Sequence, residues 1–329
     1  MQANEAGSSS SAGDLSLARF WAPRYWPTWV LLGLMHVLAR LPYRWQLATG
    51  RTLGRLLKRV KRRERRTARR NLEICFPELT GTQRAELLDR HFEAVGTSFV
   101  EMAAAWFAPI ESLLGHVEIV GREHLDRALA AGKGVLLVSA HFTTLELCFI
   151  VLEVLVPRMS CMYRPQRNAM MDVIIRRGRS RFQEQIPRDN VRQLLRNLRD
   201  NYAIAYMPDQ THLGKQSALL PFFGEAAVTN IATSRLAELS GAAVLTFFFR
   251  RLPGLAGYRV DIGPPIPGIP SGDALADTRA LVARLEAYIR LAPEQYLWLY
   301  KKFKGRPPPY PDLYAEEPAR DTALGINVD

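Results

Sequence analysis

Residues Gly134–Leu155 read GVLLVSAHFTTLELCFIVLEVL, and this stretch decides the fold class. Gly134–Ala140 is a short apolar run opened by glycine, which predicts a strand buried on both faces. Thr144–Leu155 is helix-forming. A buried strand that passes directly into a helix is half of a strand–helix–strand unit, the building block of parallel sheets. His141 stands at the junction, where an open α/β sheet places its ligands.

The same rhythm continues downstream. Met159–Tyr163 predicts a second strand, followed by a polar helix around Met170–Arg181. Asp189–Asp200 predicts a helix leading into strand Tyr202–Tyr206. A helix over Val228–Leu239 is stopped by Ser240-Gly241 and feeds strand Ala243–Phe249. Tyr258–Ile262 predicts a further strand and Ala274–Leu291 a helix. Strands alternating with helices give an α/β class with a mostly parallel central sheet flanked by helices.

Chemistry concentrates at the strand ends. In AHFTTLE, Glu146 lies five residues after His141. In the first turn of the helix it can face back to the imidazole and hold one ring nitrogen. The other nitrogen is then free to take a proton from a hydroxyl. The alternative is a structural histidine closing a strand end, and spacing alone leaves both open. Tyr163-Arg164-Pro165 ends the second strand and Met207-Pro208-Asp209-Gln210 the third. Arg164 and Asp209 are suited to a phosphorylated or polyhydroxyl ligand, or to a structural salt bridge. Phe222-Phe223-Gly224 precedes the helix expected at Val228; such an aromatic pair lines a site or fills a core. Cys148, in an apolar helix, reads as a core thiol rather than a nucleophile. There is no GxSxG elbow, no P-loop and no Cys/His spacing for a metal.

Upstream, the 329-residue chain carries a formal charge of +12. Residues 51–70 hold 11 basic residues and one acid; outside them 33 basic residues face 31 acidic ones. The basicity is therefore local. Its partners are phosphates, of nucleic acid or of anionic lipid head groups. The preceding YWPTWVLLGLMHVLA (Tyr25–Ala39) favours lipid, with Trp21, Trp26, Trp29, Tyr43 and Trp45 bracketing an aliphatic centre. Its 15 uncharged residues are fewer than the ~20 of a span. The reading is a marginal single span or a deeply embedded interfacial helix. Leu53, Leu56, Leu57 and Val60 then mark a basic amphipathic helix beside that anchor. No nucleic-acid-binding motif follows, so nucleic acid is not expected as a partner. The positive-inside rule puts residue 51 onward in the cytoplasm.

The expected organisation is a disordered leader (1–15), a membrane anchor (16–45) and a basic, helical membrane-proximal region (46–120). An α/β domain (121–305) and a flexible tail (306–329) follow.

The HX4E pair His141–Glu146, then YRP, PDQ and PFFG, resembles the HX4D/E glycerolipid-type acyltransferases. With PRYWPTW (Pro23–Trp29), RRNLEICFPE (Arg69–Glu78) and APEQYLWLYKKFKGRP (Ala292–Pro307), the chain is similar to the lipid A biosynthesis acyltransferases of the late lauroyl/myristoyl type. The resemblance implies a glycerolipid-acyltransferase-like fold at the bacterial inner membrane, its catalytic domain on the cytoplasmic face. It implies transfer of a fatty acyl chain from acyl carrier protein to a hydroxyl of a Kdo-bearing lipid A precursor, without metal or cofactor. His141 would be the general base and Glu146 its orienter. Tyr163, Arg164, Asp209, Phe222, Phe223 and Gly224 would shape the acceptor site. Gln210 is followed here by Thr211-His212, where many relatives carry a second acid. Two other readings accompany this one: a phospholipid or mannoside acyltransferase, and a non-catalytic basic membrane adaptor.

Overall fold

The computed structural model describes residues 16–315 except residues 157, 164, 165, 167, 180–183 and 212. The leader at 1–15 lies outside the described residues. In chain order the elements are α1 (Trp26–Leu38), α2 (Tyr43–Val60), α3 (Arg62–Cys75), α4 (Gly81–Phe107), α5 (Ile110–Leu114), β1 (Val117–Val120) and α6 (Arg122–Ala130). Next come β2 (Val135–Val138), α7 (Leu145–Leu155), β3 (Met159–Tyr163), α8 (Ala169–Gly178), β4 (Glu184–Pro187), α9 (Val191–Arg199) and β5 (Ala203–Tyr206). The chain continues through β6 (Ser217–Phe222), β7 (Glu225–Asn230), α10 (Ala232–Ser240), β8 (Ala243–Arg251), β9 (Tyr258–Pro265) and α11 (Ala274–Leu291).

Among the described residues seven strands form one sheet in the order β1-β9-β8-β2-β5-β3-β4. Every pairing is parallel except β8 with β9. The expected class holds: a mostly parallel sheet between helical layers. Strand β2 shows why it is apolar throughout. Val135 and Leu137 enter one core with α7, while Leu136 and Val138 enter another with α9 and α10. Period-two alternation sends successive side chains to opposite faces, and here both faces are covered.

Three expectations are corrected. The helix expected from Val228 starts at Ala232, because Glu225–Asn230 pairs with Ser217–Phe222 as a two-stranded antiparallel hairpin. Its two-residue turn is Phe223-Gly224, both with positive φ, 51° and 81°. That geometry matches the twist of a tight hairpin, and glycine supplies half of it without strain. The sheet also begins before Gly121, with β1 parallel to β9. The residues just after 305 are docked rather than tail-like. The Tyr314 hydroxyl donates to Asn71, and the Arg306 guanidinium is buried against Glu225.

Helix α1 is shorter than a bilayer span. Its 13 residues rise ~20 Å, against a hydrocarbon core of ~30 Å. Among the described residues no helix is long and apolar enough to cross a membrane. Instead one face of α1 packs on the body of the protein. Met35 and Ala39 meet Ala103 of α4, and Trp29 and Leu32 meet the core of α8. Its other face carries Trp26, Val30, Leu34 and Val37, all exposed. Helix α2 lies against α4 at a glycine crossing. A Cβ on Gly54 would stand 2.1 Å from the Phe92 carbonyl oxygen, and one on Gly96 2.2 Å from that of Gly50. Only glycine lets two helices approach that closely.

Candidate active site

Strands β2 and β5 are neighbours, with Val138 opposite Tyr206. His141 follows Val138 by three residues and Asp209 follows Tyr206 by three, so parallel register delivers both to one point at the carboxyl edge. The imidazole Nδ1 lies 2.6 Å from Asp209 Oδ1, and the His141 backbone N–H donates to Oδ2 at 3.0 Å. Two bonds to one carboxylate fix both the ring and its backbone. The Asp209 side chain is 2% exposed and that of His141 27%. The carboxylate accepts the Nδ1 proton, which leaves Nε2 as the ring's basic nitrogen.

The final segment of the core closes around this pair. The His141 carbonyl accepts from the Leu297 N–H at 2.9 Å, and Thr143 N–H donates to the Gln295 carbonyl at 2.8 Å. Tyr296 donates its hydroxyl to Asp209 Oδ2 at 3.1 Å. The Lys302 ammonium donates to the Asp209 carbonyl at 2.6 Å.

Burial opposes ionisation of Asp209 most strongly. The charge and hydrogen bonds of His141, with Lys302 behind, outweigh it and hold the carboxyl below the usual range. For His141, burial again acts first, against the cation. The Asp209 carboxylate reverses that and raises the imidazole above its ordinary value, while Arg179 tempers the rise.

Glu146 occupies the first turn of α7, as expected, but does not hold the imidazole. It is clamped by the Arg179 guanidinium, through Nε to Oε2 at 3.1 Å and through Nη2 to Oε1, and it accepts from the Trp106 indole N–H at 3.3 Å. The His–Glu spacing is local, and it does not decide which carboxylate meets the ring. The register of β2 and β5 puts a different carboxylate at the ring, and Glu146 turns to α4 and to the residue just after α8. The guanidinium also lies 4.9 Å over the Phe149 ring.

The remaining expected residues are dispersed. Tyr163 ends β3, two strands from His141, and its carbonyl accepts from the Arg188 N–H. Arg164 and His212 lie outside the described residues. Phe222 is buried against Tyr296 and Phe303, and it borders a small cavity that Asp209 and Lys302 also line. Phe223 stands between Phe76 and Trp298 under the Arg290 guanidinium, and Gly224 is exposed at the hairpin tip. Cys75, Cys148 and Cys161 are buried, and burial pushes the Cys148 thiol well up, as a core thiol requires.

Tyr296, Lys302 and Trp106 were not singled out from sequence, and Arg179 reads there only as part of a basic group, not as the partner of Glu146. The one available signal was a lysine inside an aromatic run, YLWLYKKFK. Next to the Glu146–Arg179 clamp, a cavity of about 640 Å³ opens between α1, α4 and α8. Trp29, Leu32, Trp106, Phe107 and Ile174 line it, so Trp106 borders the cavity and touches Glu146 with its indole N–H.

A model of the bacterial lipid A biosynthesis acyltransferase family matches residues 16–305. The chain is 36% identical over 300 residues to the lipid A biosynthesis palmitoleoyltransferase of Escherichia coli (strain K12), covering 90% of this chain and 96% of that one. It is 34% identical to the lauroyltransferase of the same organism, over 89% and 96%. To the myristoyltransferase it is 26% identical, over 90% and 94%. The chain belongs to the bacterial lipid A biosynthesis acyltransferase family and is an acyltransferase.

Proposed function

We propose that this enzyme moves a fatty acyl chain from acyl carrier protein to a hydroxyl of a Kdo-bearing lipid A precursor, with His141 as general base and Asp209 as its orienter. The observation that carries the reading is the 2.6 Å His141–Asp209 pair at the edge of the sheet, its aspartate buried and its imidazole partly open. Nε2 takes the proton from the acceptor hydroxyl as its oxygen attacks the thioester carbonyl. The C–O bond forms, the C–S bond breaks, and the imidazolium returns its proton to the departing thiolate. Asp209 stabilises that imidazolium without itself becoming protonated. No enzyme-bound acyl intermediate is needed. The Glu146–Arg179 clamp borders the site, and the neighbouring cavity, largely apolar and within the size range of ligand pockets, suits the acyl chain.

The exposed row on α1 supports docking in the membrane interface, with the basic helices α2 and α3 facing anionic head groups of the cytoplasmic leaflet. The test supplies the full chain with acylated carrier protein and Kdo-bearing precursor and reads the product by mass spectrometry. Ester formation lost in His141→Ala is the expected result. Undiminished transfer in that variant, or transfer only to glycerophospholipid acceptors, would overturn the reading.

A further inference from the structure

Lys302 is a lysine with 3% of its surface exposed, and buried ammonium groups are rare unless something requires them. Its Nζ is 2.6 Å from the Asp209 carbonyl oxygen and 4.8 Å from the centre of the Phe222 ring. It bonds the main-chain carbonyl of Asp209, whereas His141 meets the carboxylate. Tyr296, six residues earlier, bonds the carboxylate itself. One segment after α11 thus holds the main chain and the side chain of the same aspartate.

Resting on the proposed His141–Asp209 chemistry, we propose that Lys302 is a positioning residue: a buried cation that pins the loop carrying Asp209 and keeps its carboxylate ionised and turned to His141. The charge arrangement around it agrees. Its ionisable neighbours are Asp209, Cys75 of α3 and Glu286 of α11, and those around His141 are Asp209 and Arg179. Burial lowers the Lys302 ammonium, and the neighbouring Asp209 opposes that fall. A simple packing role is met by an apolar side chain of similar length, whereas a charge role is not.

The variants are Lys302→Met, Lys302→Gln and Lys302→Arg, compared with wild type and His141→Ala. In the neutral variants kcat should fall about 10- to 100-fold, the loss expected when one charge-assisted hydrogen bond goes. KM for both substrates should hold. The acid limb of the kcat profile should move to higher pH, because removing a cation beside the pair lets it keep its proton longer. Lys302→Arg should bring that limb back toward wild type. Folded neutral variants with an unmoved limb would reduce Lys302 to a packing residue, and failure of both neutral variants to fold would assign its charge to the stability of the fold rather than to positioning the pair. Activity in His141→Ala would instead remove the catalytic pair itself, and the role of Lys302 with it.

Discussion

The carboxyl edge of the sheet and the N-terminal helix α1 handle exposure in opposite ways. At the edge, a carboxylate, a lysine and a tyrosine are buried, and each spends its polar atoms on a partner. On α1, Trp26, Val30, Leu34 and Val37 are apolar and exposed among the described residues. Burying charge is tolerable only where each group is paired, so the edge is fixed in geometry. An exposed apolar row persists in a folded protein when another apolar phase can cover it. The difference separates chemistry, which needs rigid placement, from docking, which needs an open face.

The largest effect falls on the rigid side. His141→Ala should cost ~10²–10⁴-fold in turnover, the range of a positioned general base. Asp209→Asn should cost a comparable amount, and the double variant little more, because base and orienter act as a unit. The pH profile follows with a definite sign. Asp209 raises the His141 imidazole, so the neutral base is lost as pH falls through a value above that of a free imidazole. In Asp209→Asn the remaining activity should keep its acid limb at lower pH, since the group that raised the imidazole has gone. A kcat profile identical to wild type in that variant would separate Asp209 from the base.

This pair also marks what a sequence can show. His141 was legible because a buried strand ended there, and the sheet class was legible because central strands such as β2 and β5 are apolar throughout. The partner was not, because whether Glu146 or Asp209 reaches the ring depends on which strands are neighbours. Asp209 lies 68 residues away and becomes adjacent only through the pairing of β2 with β5. The hairpin β6–β7 was hidden for a related reason: a turn built on Phe223-Gly224 lacks the usual Asn-Gly or Asp-Gly signal. Strand β4 and the docking of residues 306–315 depend on tertiary partners that composition does not reveal.

On the open side the expected effect is smaller and of another kind. Val30, Leu34 and Val37 changed together to Ser remove three exposed apolar side chains. At ~1 kcal/mol each for partial insertion, binding to anionic vesicles should weaken about 100-fold, with thermal stability unchanged because none of the three is core. Raised salt should weaken the wild type as well, through screening of α2 and α3. Vesicle flotation measures both. Undiminished flotation of the triple variant would mean that this row is not the docking face.

The smallest effect concerns a surface that belongs to neither side. Arg192, Arg196 and Arg199 of α9 are exposed, and Arg188 precedes them. Leu194 and Leu198, on the opposite face, are buried. The helix starts just after β4, so Arg188 and Arg192 lie toward the carboxyl edge that carries His141, while Arg199 lies at the far end. Exposed arginines contribute little to stability, so this row is free to serve an acidic partner. An acidic acyl carrier protein is the partner the proposed reaction supplies. Charges at the rim of an interface act on encounter rate and salt dependence more than on the bound state. Arg192→Glu with Arg196→Glu should therefore raise the apparent KM for acylated carrier protein several-fold at low salt, and the difference should shrink as salt rises. kcat and vesicle binding should hold. An equal loss on vesicles would assign this face to the membrane, and unchanged donor kinetics at low salt would leave α9 with solubility alone.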